Sequence, residues 1–394
     1  MASGKGEREA SPWALALAGL LALAGVMGIG RFLLTPALPM MAAGTGLSPV
    51  AAGLVAAANF AGYLLGALAA AHPRFPAPGR AWLLAGLGLS AASTGAMALV
   101  ETPAAWAAIR FVAGLASAAV LVMASALILK RLATAGRGGL SSVHFAGVGT
   151  GIALSAVIAA PGIAASNAWQ QVWLTGGAAT LLALIAVAVL LPREGPAPAS
   201  APTRGEGGSI RRLAIAYGLF GFGYVVTATF LVSILREGGA GRWPETWVWL
   251  TVGLAGIPSV ALWSWVGRRI GAVPAFRLAL LVEAAGVALS ALTTGFAALV
   301  LAAAALGGTI MGITALGLFE AARRAGGDGR AAMALMTASF GVGQMVGPAT
   351  AGWLRDLTGS YAVPSLLAAA ALVAGTVIAR DGVNRPPPAP ARDG

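Results

Sequence analysis

Several charged and polar side chains of this 394-residue sequence stand inside long apolar stretches, where burying a polar group costs free energy. Arg31 interrupts "GVMGIGRFLLTPALPMM", residues 25–41, and Arg110 opens "RFVAGLASA". A charge at the centre of a membrane helix costs about 2.5–3.5 kcal/mol on insertion scales, so it normally faces a cavity, water or a partner. Arg31 is therefore a candidate to contact a solute or a coupling ion, and Arg110 to hold an anion or tune a proton site. For both residues, helix packing is the alternative.

Two titratable side chains in these stretches could carry a proton. Glu283 is the one carboxylate clearly inside an apolar stretch, and His144 stands near the start of another. Histidine titrates near neutral pH, although a lone histidine can equally be a hydrogen-bonding packing residue. Glu320 has Arg323 and Arg324 three and four residues further on, which predicts ion pairs on a helix surface. The other polar candidates, which could hydrogen-bond a solute or bridge helices, are Thr35, Asn59, Tyr224 and Gln344.

Several classes of chemistry are excluded by the sequence. It has no cysteine and two histidines, which excludes disulfides, thiolate metal sites, cysteine nucleophiles and a histidine-rich metal centre. It has no G-x-x-x-x-G-K-[ST] phosphate loop, and "GVGQMVG" lacks the preceding strand that a dinucleotide loop needs. We therefore expect no enzyme activity, no metal and no cofactor.

Hydropathy predicts the elements that position these residues. The sequence is 58% hydrophobic and 10% charged, with a mean hydropathy of +0.84, whereas a soluble protein carries about 25% charged residues. A membrane-spanning helix needs roughly 20 apolar residues, which predicts an all-α membrane protein with twelve transmembrane helices. Their expected bounds are 13–42, 48–71, 81–99, 104–130, 140–163, 168–191, 213–235, 245–266, 274–294, 297–322, 331–354 and 361–380.

The segment between spans six and seven divides the chain. "PREGPAPASAPTRGEGGSIRR", residues 192–212, is rich in proline, glycine and charge, which predicts a cytoplasmic linker. It separates an N-terminal six-helix half, 13–191, from a C-terminal six-helix half, 213–380. Residues 1–12 and 381–394 have the composition of disordered cytoplasmic tails. The first apolar stretch is too long for a cleaved signal peptide.

Basic residues predict the orientation, because cytoplasmic loops of membrane proteins are rich in lysine and arginine. With both termini in the cytoplasm, 20 of the 25 basic residues fall on or near the cytoplasmic side. Arg236, Arg242 and Arg355 fall outside, and Arg31 and Arg110 stay within spans. This distribution accounts for the net charge of +12 without a nucleic-acid partner.

The two halves repeat each other. "GIGRFLLTP" in span one aligns with "GFGYVVTAT" in span seven at an offset of 193, which places Tyr224 at the repeat position of Arg31. "FAGVGTGIA" in span five aligns with "FGVGQMVGP" in span eleven at an offset of 194. Duplicated six-span units are typical of secondary transporters, which bind a solute near the midplane between the halves.

Proline and glycine residues could bend the spans or let them pack closely. Helical spacing places Gly28, Arg31 and Thr35 along one stripe of span one. The two prolines of that span remove amide donors from its outer half, which could permit bending during gating or could only set the shape of the helix. The candidates for gating or helix packing are Pro36, Pro39, Gly147, Gly149, Gly151, Gly341, Gly343, Gly347 and Pro348.

Arg110 with Gly114 four residues later resembles the span-four motif of the major facilitator superfamily, and the resemblance extends over about 13–380. The span-five glycines resemble its antiporter-type motif without the usual proline. The sequence departs from the superfamily at Ala70 and Ser264, where the loop motif of each half has an acidic residue. More narrowly, the sequence resembles the YbfB/YjiJ-type subfamily of bacterial transporters in "GIGRFLLTPALPMM", "GLSPVAAGLVAAANFAGYLLGAL", "HFAGVGTGIALS" and "GFGYVVTATFL".

The resemblance implies the major facilitator fold, in which two pseudo-symmetric six-helix halves enclose a cavity lined by spans one, four, seven and ten. It also implies a multi-pass protein of the bacterial cytoplasmic (inner) membrane. Glu283 belongs to span nine, which is peripheral in this fold. For that residue a structural pair, or snorkelling to the interface, is therefore favoured over proton coupling.

The predicted function is secondary active transport of a small solute by alternating access, with protons as the coupling ion. The small residues of span five favour efflux by antiport, whereas the two arginines within spans favour uptake of a small organic anion by symport. A membrane sensor or scaffold without transport activity is a minor alternative. The expected partners are a small-molecule solute, protons and the lipid bilayer, with no nucleic acid, and the chain is expected to function as a monomer.

Overall fold

The computed structural model describes residues 11–72, 79–164, 168–191, 210–239, 242–293, 295–325 and 330–380. All regular secondary structure in these ranges is helical, and the helices follow one another as twelve segments, α1 to α12. Among them, nine helices are long and apolar enough to cross a membrane, or ten if a bent pair counts as one span. The predicted N-terminal tail up to residue 10, the whole predicted C-terminal tail and residues 192–209 of the predicted linker lie outside the described residues.

Three of the six helices of the first half begin with proline and a hydroxyl cap. It contains α1 (Pro12–Thr45), α2 (Pro49–Ala71), α3 (Arg80–Ala96), α4 (Pro103–Thr134), α5 (Ser141–Ala164) and α6 (Trp169–Leu190). Proline suits the first helical position because no acceptor is available to its amide there. A preceding hydroxyl group satisfies one of the free amides. The pairs of hydroxyl acceptor and amide donor are Ser11 and Ala14, Ser48 and Ala51, and Thr102 and Ala105.

One predicted span of the second half is divided into two helices. Its segments are α7 (Ile210–Glu237), α8a (Arg242–Gly256), α8b (Ser259–Ile270), α9 (Ala272–Leu292), α10 (Phe296–Ala325), α11 (Arg330–Thr358) and α12 (Ala362–Ile378). The chain bends by 47° between α8a and α8b, where Pro258 has no amide hydrogen and its ring crowds the preceding turn. The other helices lie where spans were predicted, and their ends differ from the predicted bounds by no more than four residues.

Helix α1 is less regular than predicted. Ala24–Ile29 form a π-helix, whose wider turn shifts the direction of every side chain that follows. Gly28 packs against Gly151 of α5, since a Cβ at Gly28 would lie 2.2 Å from the Gly151 Cα. Arg31 and Thr35 instead line the interior of the bundle. The stripe predicted from regular α-helical spacing is therefore wrong.

The two halves contact each other through α2 with α11 and through α5 with α8. These contacts are close because glycines stand where the backbones meet. A Cβ at Gly53 would lie 2.3 Å from the Pro348 carbonyl oxygen, and a Cβ at Gly253 would lie 2.2 Å from the Ala153 nitrogen. Small residues are the usual means by which membrane helices approach each other. Close backbone packing is thus one of the contacts that hold the halves together.

The axis that relates the two halves passes between α1 and α7. Thr35 Oγ1 donates a hydrogen bond of 2.5 Å to the carbonyl oxygen of Ala228, which lies 193 residues further along the chain. This separation equals the offset of the sequence repeat. Residues at equivalent positions of two repeats meet directly only beside a two-fold axis, so this contact places the pseudo-symmetry axis at Thr35.

Candidate functional site

Arg31 lies at the centre of the bundle and is 4% exposed. Its guanidinium carbon is 4.6 Å from the ring centroid of Phe60 and 4.4 Å from that of Tyr63, both on α2. Nη1 contacts the Met27 sulfur at 4.0 Å, whereas Nε and Nη2 have no hydrogen-bond partner in the described part of the chain. The aromatic faces stabilise the buried charge, but one edge of the guanidinium remains unsatisfied.

Arg110 on α4 is buried beside Arg31 and has a different role in the packing. Its Nη1 donates to the Gly30 carbonyl oxygen at 2.6 Å, and its Nη2 donates to the Arg31 carbonyl oxygen at 2.8 Å. Both carbonyl groups belong to the turn of α1 that follows the π-helix. Arg110 therefore fixes the backbone from which the Arg31 side chain projects. Asn59 of α2 supports this arrangement by donating from Nδ2 to the Arg110 carbonyl oxygen at 2.9 Å.

A small cavity lies between the halves next to Arg31. Its volume is about 10 Å³, which is room for about one water molecule. Residues from α1, α2, α4 and α7 line it, namely Arg31, Phe32, Leu34, Thr35, Ala56, Asn59, Phe60, Arg110, Ala228 and Thr229. Span ten, which was expected to complete the lining, contributes none of these. A solute can occupy this place only after the halves separate.

The C-terminal half presents an aromatic and polar face to this region. Tyr224 of α7 accepts a hydrogen bond from Gln344 Nε2 of α11. The Tyr224 ring stacks on Phe220 and Phe340, with centroid distances of 5.1 and 5.8 Å. Tyr224 lies within electrostatic range of the Arg31 charge, as expected for two residues at equivalent repeat positions.

Glu283 of α9 is fully buried, so the snorkelling suggested as one alternative is wrong. Its Oε2 lies 3.1 Å from Thr309 Oγ1 of α10, and its Oε1 has no hydrogen-bond partner among the described residues. It forms no ion pair with a described arginine or lysine. Glu283 is also within electrostatic range of Tyr224. It therefore points toward the interior of its half rather than toward lipid.

The match to a sequence family decides what kind of protein this is. The family described as "Uncharacterised MFS-type transporter YbfB" matches residues 23–380. The chain belongs to this family. It is a transporter-family protein of the major facilitator superfamily (MFS) and not an enzyme.

Comparison with a solved structure shows the fold of this MFS-type transporter. A mutant of the nucleoside transporter NupG is similar over 93% of this chain and 98% of the NupG chain, with a TM-score of 0.66 and 15% sequence identity. At that identity the similarity shows the major facilitator fold and leaves the substrate open. No curated protein sequence matches the chain.

Several predicted site residues of the transporter lie away from the Arg31 cavity. His144 of α5 is buried against α1 and α4, where its Nε2 lies 3.1 Å from Ser125 Oγ and its Nδ1 faces Gly19. The predicted pairs of Glu320 are present, because Arg323 and Arg324 donate to its carboxylate at 2.8 and 2.6 Å. Its carboxylate is buried rather than on the surface.

The predicted glycines of the transporter serve close packing. A Cβ at Gly147 would lie 2.2 Å from the Leu20 carbonyl oxygen, and one at Gly149 would lie 2.5 Å from the Gly256 carbonyl carbon. Equivalent glycines of α11 approach α7, since a Cβ at Gly343 would lie 2.1 Å from the Gly218 carbonyl oxygen. Gly151, Gly341 and Gly347 have similarly close neighbours, whereas gating by Pro36, Pro39 and Pro348 stays a prediction.

Sequence reasoning missed the aromatic residues around the transporter's central arginine. Phe60 and Tyr63 are three residues apart, so they share one face of α2, but no sequence pattern says which helix that face meets. The stacking of Tyr217 and Phe340, with centroids 4.7 Å apart, was missed for the same reason. Thr309 was overlooked because a lone threonine in an apolar stretch carries no signal until Glu283 is placed beside it.

Proposed function

We propose that this MFS-type transporter moves a small solute across the membrane by alternating access, coupled to protons, and that it exports the solute by antiport. One observation carries the proposal: the buried Arg31 lines a small cavity whose walls come from both halves. A binding place between two related halves is what a transporter needs to expose a solute to one side at a time.

Glu283 is the proposed proton carrier. Thr309 Oγ1 lies 2.6 Å from the Ala305 carbonyl oxygen and 3.1 Å from Glu283 Oε2. A hydroxyl group has one hydrogen, and the shorter contact to Ala305 takes it. The contact with Glu283 is then satisfied when the carboxyl group is protonated and donates to Thr309. The absence of an ion-pair partner among the described residues supports the same neutral form.

The packing of α5 supports export. Gly147 and Gly151 contact α1 of their own half, while Gly149 contacts Gly256 of the other half. With few side chains in the way, α5 can slide against α8 while it stays attached to α1. The glycine-rich α5 also resembles the antiporter-type motif of the superfamily, although the proline of that motif is missing.

Uptake of a small organic anion by symport with protons is the second candidate. It is favoured by the free edge of Arg31, because an anion driven by the proton gradient would neutralise that charge as it enters the cavity. For export and for uptake alike, we propose that the transporter acts as a monomer in the bacterial cytoplasmic membrane, with both termini in the cytoplasm.

The experiment begins with a growth screen of a deletion strain over solutes and toxicants, which supplies a candidate solute. Purified transporter is then reconstituted in proteoliposomes, and solute flux is measured under an imposed pH gradient. Opposite movement of protons and solute supports antiport, and movement in the same direction supports symport and contradicts the export proposal. Solute flux that is indifferent to the gradient contradicts proton coupling altogether.

A further inference from the structure

The unsatisfied edge of Arg31 has a defined shape. Nε and Nη2 stand on the same side of a guanidinium group, where their parallel N–H bonds match the two oxygens of a carboxylate. Among the described residues, two arginines use this edge to bond both oxygens of a carboxylate. Arg236 donates from Nε and Nη2 to Glu245 at 2.8 and 2.5 Å, and Arg323 does so to Glu320 at 2.9 and 2.8 Å. At Arg31 the edge faces no carboxylate among the described residues.

Two other arginines of the bundle bond backbone carbonyl groups, although Arg110 Nε also has no partner among the described residues. Arg110 uses both Nη groups on carbonyl oxygens of α1. Arg277 donates to the Thr376 carbonyl oxygen at 3.0 Å. Arg31 makes no bond of this kind: its polar neighbours are the Met27 sulfur and the Tyr63 hydroxyl group, and its Nε and Nη2 have no hydrogen-bond partner among the described residues. Helix packing therefore does not explain why Arg31 is an arginine.

The charge balance of the cavity points the same way. Arg31 and Arg110 are both buried, and neither forms an ion pair with a described carboxylate. Leaving a buried charge uncompensated is strongly destabilising. Arg110 has two carbonyl oxygens as partners, whereas the neighbours of Arg31 are aromatic faces, the Met27 sulfur and the Tyr63 hydroxyl group. One negative charge placed at the free edge would compensate Arg31, which points to a monoanion.

The walls around the free edge are mostly apolar. Phe32, Phe60 and Ala228 line the cavity, and Thr35 and Asn59 add the polar groups nearest to Arg31. Asn59 keeps an unpaired Oδ1 there. Aromatic and small side chains suit a flat or aliphatic body attached to one charged group, and they disfavour a heavily hydroxylated solute.

We propose that the recognised group of the solute is a single carboxylate, bound through both oxygens by Nε and Nη2 of Arg31, on an apolar or aromatic body. This inference deepens the proposed function and rests on it for the location of the transport site. It is independent of the direction of transport.

The test measures binding to the purified full-length protein in lipid nanodiscs. Benzoate, phenylacetate and hexanoate are compared with their primary amides, which have the same shape and no charge, and with benzenesulfonate and phenylphosphonate. Binding is read as a shift in thermal unfolding, because a ligand that binds the folded state raises the midpoint. We expect at least one carboxylate to bind at least tenfold more tightly than its amide. Equal binding of the amide, a shift only with the sulfonate or phosphonate, or no shift with any carboxylate overturns the proposal.

Variants of Arg31 make the test specific. Arg31→Gln should abolish the carboxylate shift, and Arg31→Lys should weaken binding at least tenfold although it keeps the charge, because a lysine cannot form the two-pronged contact. Arg269→Gln, an exposed arginine, is the control and should bind as the parent does. A shift that survives in Arg31→Gln contradicts the assignment. If Arg31→Gln does not fold, the test rests on Arg31→Lys, and carboxylate binding by Arg31→Lys as tight as that of the parent contradicts the assignment.

The outcome separates this inference from the proposed function, since binding in nanodiscs needs no gradient and no flux. Carboxylate binding without proton-driven flux in proteoliposomes contradicts the proposed function alone. Proton-driven flux of a neutral solute, with no carboxylate binding, contradicts this inference alone.

Discussion

Arg31 and Arg110 are buried on helices that meet at the centre of the bundle, yet Arg110 bonds the backbone of α1 while Arg31 keeps two donors free. Their apolar surroundings made both residues candidates, but the sequence did not show this difference. It depends on which carbonyl groups the π-helix presents to α4, and on the two rings that α2 brings to Arg31. Tertiary packing decides both.

Removing the Arg31 side chain should abolish transport without preventing membrane insertion. Arg31→Ala deletes the free edge and leaves the Arg110 bonds to the backbone of α1 in place. Losing hydrogen bonds to a charged group costs about 1.5–3 kcal/mol each, so loss of the two proposed bonds should weaken solute binding by about a hundredfold or more and reduce the flux to background. Flux in proteoliposomes, with protein content per vesicle as the control, measures this. Transport at the parent rate would show that Arg31 is not in the solute pathway.

Replacing Glu283 tests proton coupling separately from solute binding. Glu283→Gln keeps the size of the side chain and its contact with Thr309 but cannot release a proton. We expect transport driven by a pH gradient to be lost, while exchange of labelled for unlabelled solute continues within about twofold. Thr309→Val is the companion variant and should leave the coupling ratio unchanged. Full gradient-driven transport by Glu283→Gln would assign the proton to another group.

At the scale of the helices, hydropathy was sufficient to predict that each helix exists and roughly where it ends, because a membrane span needs a fixed length of apolar residues. It was insufficient for the π-helix at Ala24–Ile29 and for the break at Pro258. Apolar residues are equally compatible with α- and π-helical hydrogen bonding, and Pro258 did not interrupt the apolar run. The first irregularity changes the direction in which Gly28 points, and so determines what lines the cavity.

Two neighbouring glycines of α10 provide a matched test of helix packing. A Cβ at Gly307 would lie 2.0 Å from the Val252 carbonyl oxygen of α8a, whereas a Cβ at Gly308 would meet nothing within 4 Å. Gly307→Ala should therefore force α8a away from α10, at a cost of about 1–3 kcal/mol. Gly308→Ala should be neutral or stabilising by about 0.5–1 kcal/mol, since alanine is the better helix former.

Thermal unfolding of the two purified variants in one detergent measures the difference. The midpoint should fall for Gly307→Ala and stay level or rise for Gly308→Ala. An equal effect of both substitutions would contradict the close approach of α8a and α10.

At the scale of the whole molecule, two hydrogen bonds among the described residues join the halves. Thr35 and Ala228 are equivalent positions joined by a hydrogen bond across the axis, and Trp249 Nε1 donates to Ser155 Oγ at 2.9 Å between α8a and α5. Both bonds join one half to the other. The proposed alternating access requires such bonds to break when the halves separate, so their strength would set part of the balance between the closed and open states.

Thr35→Val removes the bond at the axis while keeping the shape of the side chain. A hydrogen bond contributes about 1 kcal/mol net, so the population of the open state should rise about fivefold. The sequence has no cysteine, which permits spin labels at Ala43→Cys on α1 and Gly238→Cys after α7 without background. Pulsed electron resonance should show a second, longer distance that is more populated in the Thr35→Val protein. The control pair, Ala43→Cys and Glu101→Cys, lies within one half and should show a single distance with or without Thr35→Val. If the distances between Ala43→Cys and Gly238→Cys do not change in the Thr35→Val protein, the bond between Thr35 and Ala228 does not hold the halves together.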